Sequence, residues 1–140
     1  MPQDKIKEFI EEVKKVTPTI RDDMLYTELL GIRLLDYSPG YAKASMLVSD
    51  KLSSLYGRLH GGAILSFADD TIGKAVFTAV RKAIIAVEIK MNFLRVPKMG
   101  EEIIAEARVI HAGKRLVVGE AEVRGEEGLI AKATSTYLVR

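Results

Sequence analysis

The chain contains no cysteine. That excludes a disulfide framework and a thiolate metal site, and it fits a reducing, cytoplasmic setting. Amide side chains are almost absent too: Gln3 and Asn92 stand alone among abundant Glu and Lys. This bias occurs in thermophile proteins. No apolar run approaches the length of a membrane span. The start, Met1-Pro2-Gln3-Asp4, is polar and unlike a secretory signal. Charge of one sign is lacking: the net charge is +2, with acids and bases interleaved and no basic stripe. Nothing therefore points to nucleic acid as a partner. The two histidines, His60 and His111, are far apart and form no helical pair, so no metal site is expected.

What remains is ordinary globular material. The 140 residues are 48% hydrophobic and 29% charged, which suits one domain with one core. No repeat, linker or low-complexity tract divides residues 1–140. From Asp4 to Val16, Ile6, Phe9, Ile10, Val13 and Val16 recur at helical spacing, and Pro18 stops the run. The opposite face mixes Lys with Glu, which favours a structural lid over a membrane binder. Residues 22–30 read as a short helix ending at Gly31. Ile32–Tyr37 and Tyr41–Ser49 read as strands joined by the Ser38-Pro39-Gly40 turn, and residues 50–60 as a loop. A helix over 61–80 follows, then strands over 83–95, 102–112, 114–124 and 129–139, punctuated by Gly113 and by Gly125-Glu126-Glu127-Gly128. Hairpins on both sides of one long helix predict an α+β architecture, an antiparallel sheet wrapped on that helix.

The 61–80 helix is apolar around most of its circumference, as a buried helix is. At about 100° per residue, Thr71, Lys74, Thr78 and Arg81 share a polar strip. Asp70 borders it, four residues before Lys74, and is expected to pair with that lysine. Asp69 points elsewhere, onto a stripe with Gly62, Ser66 and Gly73, flanked by Leu65, Ile72 and Val76. No base within the helix can reach it. A carboxylate on such a face is costly to bury alone. Either it has a chemical task, or backbone N–H groups or a basic strand residue hold it. The helix start is rich in glycine: Gly57, Gly61 and Gly62 surround His60. Free N–H groups in a first turn can stabilise an oxyanion, and glycine lets a ligand approach them. Taken alone, such glycines are common at helix starts that do no chemistry, and a lone His60 reads first as a satisfied structural histidine.

Together the residues form a pattern. Gly57-Arg58-Leu59-His60-Gly61-Gly62, followed by Phe67-Ala68-Asp69, resembles the motif of the hotdog-fold acyl-CoA thioesterases of the PaaI-like phenylacetyl-CoA and 4-hydroxybenzoyl-CoA type. In that motif the acid stands nine positions after the His, which fits Asp69 and not Asp70. The similarity continues through Val87–Pro97, Gly100-Glu101-Glu102 and His111–Leu116, and covers about residues 28–140. The first helix, within residues 1–17, lies outside it.

The resemblance implies a homodimer or homotetramer that hydrolyses acyl-CoA, aryl or fatty, with active sites between subunits. It implies that Gly61 N–H of one chain polarises the thioester carbonyl while Asp69 of another acts as general base or nucleophile, with His60 placing the thioester. Apolar surroundings are expected to raise the basicity of Asp69. No metal or cofactor is implied, CoA being part of the substrate. Ser54 stands where many relatives carry Asn. Glu88 stands where some carry Ser or Thr; it either helps hold water, couples to Asp69, or is a plain exposed strand residue. Gly113, Lys114 and Arg115 resemble a turn that meets CoA phosphates, though two cations at a hairpin tip are also simply solvated. Gly62 belongs with the substrate-binding set. Two other readings fit: a hotdog hydratase or dehydratase, whose motif differs, and a non-catalytic acyl-CoA binding module.

Overall fold

The structure is a computed structural model that describes residues 4–21, 23 and 25–140. Met1–Gln3, Asp22 and Met24 lie outside the described residues, and with them part of the polar start and of the 22–30 segment. The order is α1 (Ile6–Val16), α2 (Leu25–Leu30), β1 (Arg33–Ser38), β2 (Tyr41–Leu47), α3 (Gly61–Val80), β3 (Ile84–Phe93), β4 (Glu102–Ala112), β5 (Leu116–Gly125) and β6 (Gly128–Val139). A short 3-10 turn, Asp50–Leu52, interrupts the loop expected over 50–60. Among the described residues no helix is long and apolar enough to cross a membrane.

All six strands form one antiparallel sheet in the order β1-β2-β4-β5-β6-β3. Strand alternation decides which residues face the helix. Those positions are mostly small: Ala42, Ala44, Ala105, Ala107, Ala121, Ala131 and Ala133 are all buried. A shallow floor of this kind lets a helix lie close. At Gly119 it lies so close that an added Cβ would sit 2.7 Å from Ile72 Cγ2, so a side chain there would push Ile72 aside. The register shifts at Leu34/Asp36, Ala86/Glu88, Val109/His111 and Val123/Arg124 add twist and bend the sheet around its cargo. The result is the hotdog arrangement: α3, about 30 Å long, in the concave face of a curved sheet, with Phe67, Ile72 and Val76 fully buried.

The polar strip of α3 is not solvated. Thr71, Lys74 and Thr78 are buried. The two threonine hydroxyls donate to Phe67 and Ala75 carbonyls of their own helix, at 2.8 and 2.7 Å. Thr78 Oγ1 also accepts from Gly40 N–H at 3.0 Å. Arg81 leaves the strip altogether, capping α3 in the left-handed conformation at φ 50°. Helix α1 lies over the C-terminal half of α3. Phe9 is its one fully buried residue, edge-on to Tyr37 and Phe77 at 5.4 and 5.6 Å between ring centroids.

The loop before β4 is tied down by one carboxylate. Glu101 accepts from Lys98 N–H at 2.8 Å and from Glu126 N–H at 2.7 Å. First the Glu126 bond and then the Lys98 bond hold its pKa below the usual glutamate range. A depressed acid contributes stability above its unfolded pKa and loses it as pH falls through the folded value. Glu101→Gln is therefore expected to cost about 1 kcal/mol at neutral pH and little in acid. Urea unfolding at both pH values checks this; an equal loss at both contradicts it.

Candidate active site

The start of α3 is built by a tight loop. Ser53 and Leu59 bridge, Ser54 N–H donates to Arg58 O at 2.6 Å, and His60 N–H donates to Leu52 O at 2.9 Å. Gly57 turns the chain at φ 74°. Ser54 Oγ receives Tyr56 N–H at 3.3 Å, so this hydroxyl serves the turn. His60 enters extended, at φ −65° and ψ 133°, and caps the helix: its Nδ1 accepts from Gly62 N–H at 2.8 Å. With Nδ1 accepting, the neutral ring carries its proton on Nε2, which is left as an outward donor. Ala63 and Ile64 N–H groups both donate to His60 O, at 2.9 and 3.4 Å. Of the four first-turn donors, Gly61 N–H alone has no acceptor among the described residues. The Phe93 ring borders Gly61, 3.4 Å from where a Cβ would stand.

Two turns further on, the adjacent aspartates diverge. Asp70 forms an ion pair with the buried Lys74, and Thr27 Oγ1 donates to it at 3.4 Å. Asp69 sits half-buried on the stripe with Gly62, Ser66 and Gly73. Its partner is neither a backbone N–H nor a base. Tyr137 Oη, from β6, donates to Asp69 Oδ1 at 2.7 Å and also lies 3.0 Å from Asp69 O. Burial, then the Asp69 charge and this hydrogen bond, push the Tyr137 phenol far above its ordinary pKa, so it remains a donor. Asp69 Oδ2 has no donor among the described residues. Sequence reasoning missed Tyr137. The available signal was a tyrosine on the inward register of β6, two positions after Ser135, where a buried hydroxyl needs a partner.

The open stripe of α3 is flanked by two clefts. One, of about 580 Å³, includes Asp69, Gly73, Tyr137 and the underside of α1. The other, of about 510 Å³, includes His60, Gly62, Ser66 and Tyr26. Glu88 is exposed on β3, its carbonyl accepting from Ser135 Oγ at 2.8 Å. Gly113, Lys114 and Arg115 form the β4–β5 hairpin tip. There Gly113 N–H donates to Leu116 O at 2.9 Å, and Lys114 and Arg115 are exposed. Among the described residues no hydrogen bond or ion pair joins Glu88 or this tip to Asp69.

The Asp70–Lys74 pair belongs to the fold, since removing one partner strands the other's charge in the interior. Asp70→Ala is expected to cost about 2–3 kcal/mol in urea unfolding, and Asp70→Leu with Lys74→Met to recover most of it. A loss below about 0.5 kcal/mol, as at an exposed pair, contradicts this.

Comparison with known proteins bears on the whole arrangement. Residues 56–132, more than half of the chain, match the family model described as the thioesterase superfamily. A Deinococcus radiodurans protein provisionally named an esterase is 36% identical over 106 residues, covering 75% of this chain and 71% of its own. Human acyl-coenzyme A thioesterase 13 is 28% identical over 109 residues, covering 76% of each chain. A mutant of the phenylacetic acid degradation protein PaaI from Thermus thermophilus superposes with a TM-score of 0.79 at 28% identity, covering 83% of this chain and 99% of its own. The chain belongs to the thioesterase superfamily, and is a thioester hydrolase by class.

Proposed function

We propose that this protein hydrolyses acyl-CoA thioesters at sites shared between two copies of the chain. The observation that carries this is the separation of two unsatisfied groups on one helix. Among the described residues Gly61 N–H has no acceptor and Asp69 Oδ2 no donor, yet they lie eight residues apart. That is about 12 Å along the axis, too far to act on one carbonyl and its attacking water. A second α3 alongside brings one chain's Gly61 to the other's Asp69.

The sheet edge supports such pairing. Strand β3 is a ten-residue edge, with Ile85, Val87 and Phe93 about half exposed. A long apolar edge of this kind is a template for a second copy. Human acyl-coenzyme A thioesterase 13 and the cations Lys114 and Arg115 at the hairpin tip support CoA as the carrier.

In the proposed step the thioester oxygen accepts from Gly61 N–H, reinforced by the positive end of α3. Asp69 Oδ2 takes a proton from water, whose oxygen bonds to the carbonyl carbon. The tetrahedral oxyanion collapses, the C–S bond breaks, and CoA leaves as thiolate, a leaving group stable enough to need no acid. Tyr137 fixes the carboxylate by its other oxygen. His60 keeps Gly61 free by satisfying Gly62 and turns Nε2–H outward. The step uses only the chain's own groups and water.

Thiol release from aryl- and fatty-acyl-CoAs tests the proposal. Asp69→Ala is expected to lower kcat/KM by about 10²–10⁴. Gly61→Pro removes the N–H and adds a ring beside Phe93; proline suits the first helical position, and His60 already has the extended conformation required before proline. It is expected to fold and to lose about 10²–10³ in kcat. A wild type inert on every thioester, whose melting temperature CoA ligands still raise, would instead mark a binding module.

A further inference from the structure

We infer that the cleft beneath α1 is an acyl-chain site for straight aliphatic acyl groups, with α1 as its measuring wall. This rests on the proposal that Asp69 meets the thioester. The cleft of about 580 Å³ begins at Asp69, Gly73 and Tyr137 and runs under Ile6, Ile10 and Val13. Its size is that of a small-molecule site. Helix α1 presents a strong apolar face, yet only Phe9 is fully buried by the protein. Ile6, Ile10 and Val13 remain half-buried, and all three line the cleft. Ile6 and Val13 touch the core on one side, and the part of this apolar face that the chain leaves uncovered gains most from an apolar ligand.

The chemistry of the walls selects the occupant. Ile84 of β3 lines the cleft together with Ile6, Ile10 and Val13 of α1, so two elements offer it branched aliphatic groups. Its aromatic residues are not arranged as a slot, because Phe9 packs edge-on against both Tyr37 and Phe77. Of the charged residues lining the cleft, Asp70 is engaged with Lys74 and Thr27, and Lys82 is exposed to solvent. Arg21, which also borders the cleft, pairs with Asp23. A hydroxylated ring would find little to hydrogen-bond, whereas a flexible hydrocarbon chain can follow the space. Gly73 keeps the floor low beside Tyr137, whose Oη stands 3.4 Å from where a Cβ would be.

Two measurements test this on the full chain: kcat/KM for butanoyl-, decanoyl- and phenylacetyl-CoA, and the Kd of the non-hydrolysable thioether decyl-CoA. Decanoyl-CoA is expected to exceed butanoyl-CoA at least about tenfold, since each buried methylene adds binding. Ile10→Trp, which fills the cleft, is expected to cut that ratio at least about tenfold and to weaken decyl-CoA binding similarly. Val13→Phe, a milder change should the first not fold, shifts both the same way. Lys7→Trp, on the exposed face of α1, leaves the ratio as in wild type. The inference is overturned if Ile10→Trp and Val13→Phe fold and keep the wild-type ratio and Kd, or if phenylacetyl-CoA is the better substrate in all variants. If decyl-CoA binds in an Ile10-dependent way but nothing is hydrolysed, the acyl site stands and the hydrolysis proposal falls.

Discussion

Close packing of α3 on a floor of alanine and glycine is the constraint on which the rest depends. Because the floor is shallow, the helix sinks until Ile72 meets the backbone at Gly119, and the strands curve around it. A helix so deeply seated has one side left, the stripe of Gly62, Ser66, Asp69 and Gly73. Neither the sheet nor α1 closes that side completely. The first turn of α3 ends at a loop rather than under a strand, which keeps Gly61 N–H unsatisfied. The same contact that makes the core thus leaves the Gly61 donor without an acceptor among the described residues and the Asp69 carboxylate partly exposed.

The two aspartates show how one helix gives adjacent carboxylates different partners. They differ by about 100° of rotation, and that rotation decides everything about them. Asp70 turns toward Lys74, and their charges offset each other inside the protein. Asp69 turns toward Tyr137, which binds one oxygen without neutralising the charge. A hydrogen bond from a phenol held in its protonated form orients the carboxylate and leaves its second oxygen without a donor among the described residues. A lysine or arginine in that place would hold the charge but weaken the base.

Much of this was legible in the sequence, for physical reasons. The span of α3 followed from apolar residues around the whole helix, and the Asp70–Lys74 pair from spacing alone. The four later strands followed from alternation and glycine turns. The Tyr137 partner of Asp69 was not legible, because it depends on the register of β6 against β3 and α3, a contact between residues 68 positions apart. His60 read on its own as a satisfied structural histidine, but its particular partner was not legible: its Nδ1 accepts from Gly62 N–H and caps the helix. Spacing showed the polar strip of α3 but not how it is satisfied: its threonine hydroxyls bond to the helix backbone and are buried. The cleft under α1 was hidden because amphipathic spacing shows a helix has an apolar face, not whether protein or ligand covers it.

The central claim is that one chain's Gly61 works with another chain's Asp69. It is tested most directly by dissociating and reassociating Asp69→Ala chains with Gly61→Pro chains, each inactive alone, and measuring thiol release. Hybrid dimers hold one site with both groups intact and one with neither, so random reassociation should restore about a quarter of wild-type activity. Activity that stays at the sum of the separate variants, although hybrids are shown to form, would contradict the account, because the two groups would then be acting within one chain.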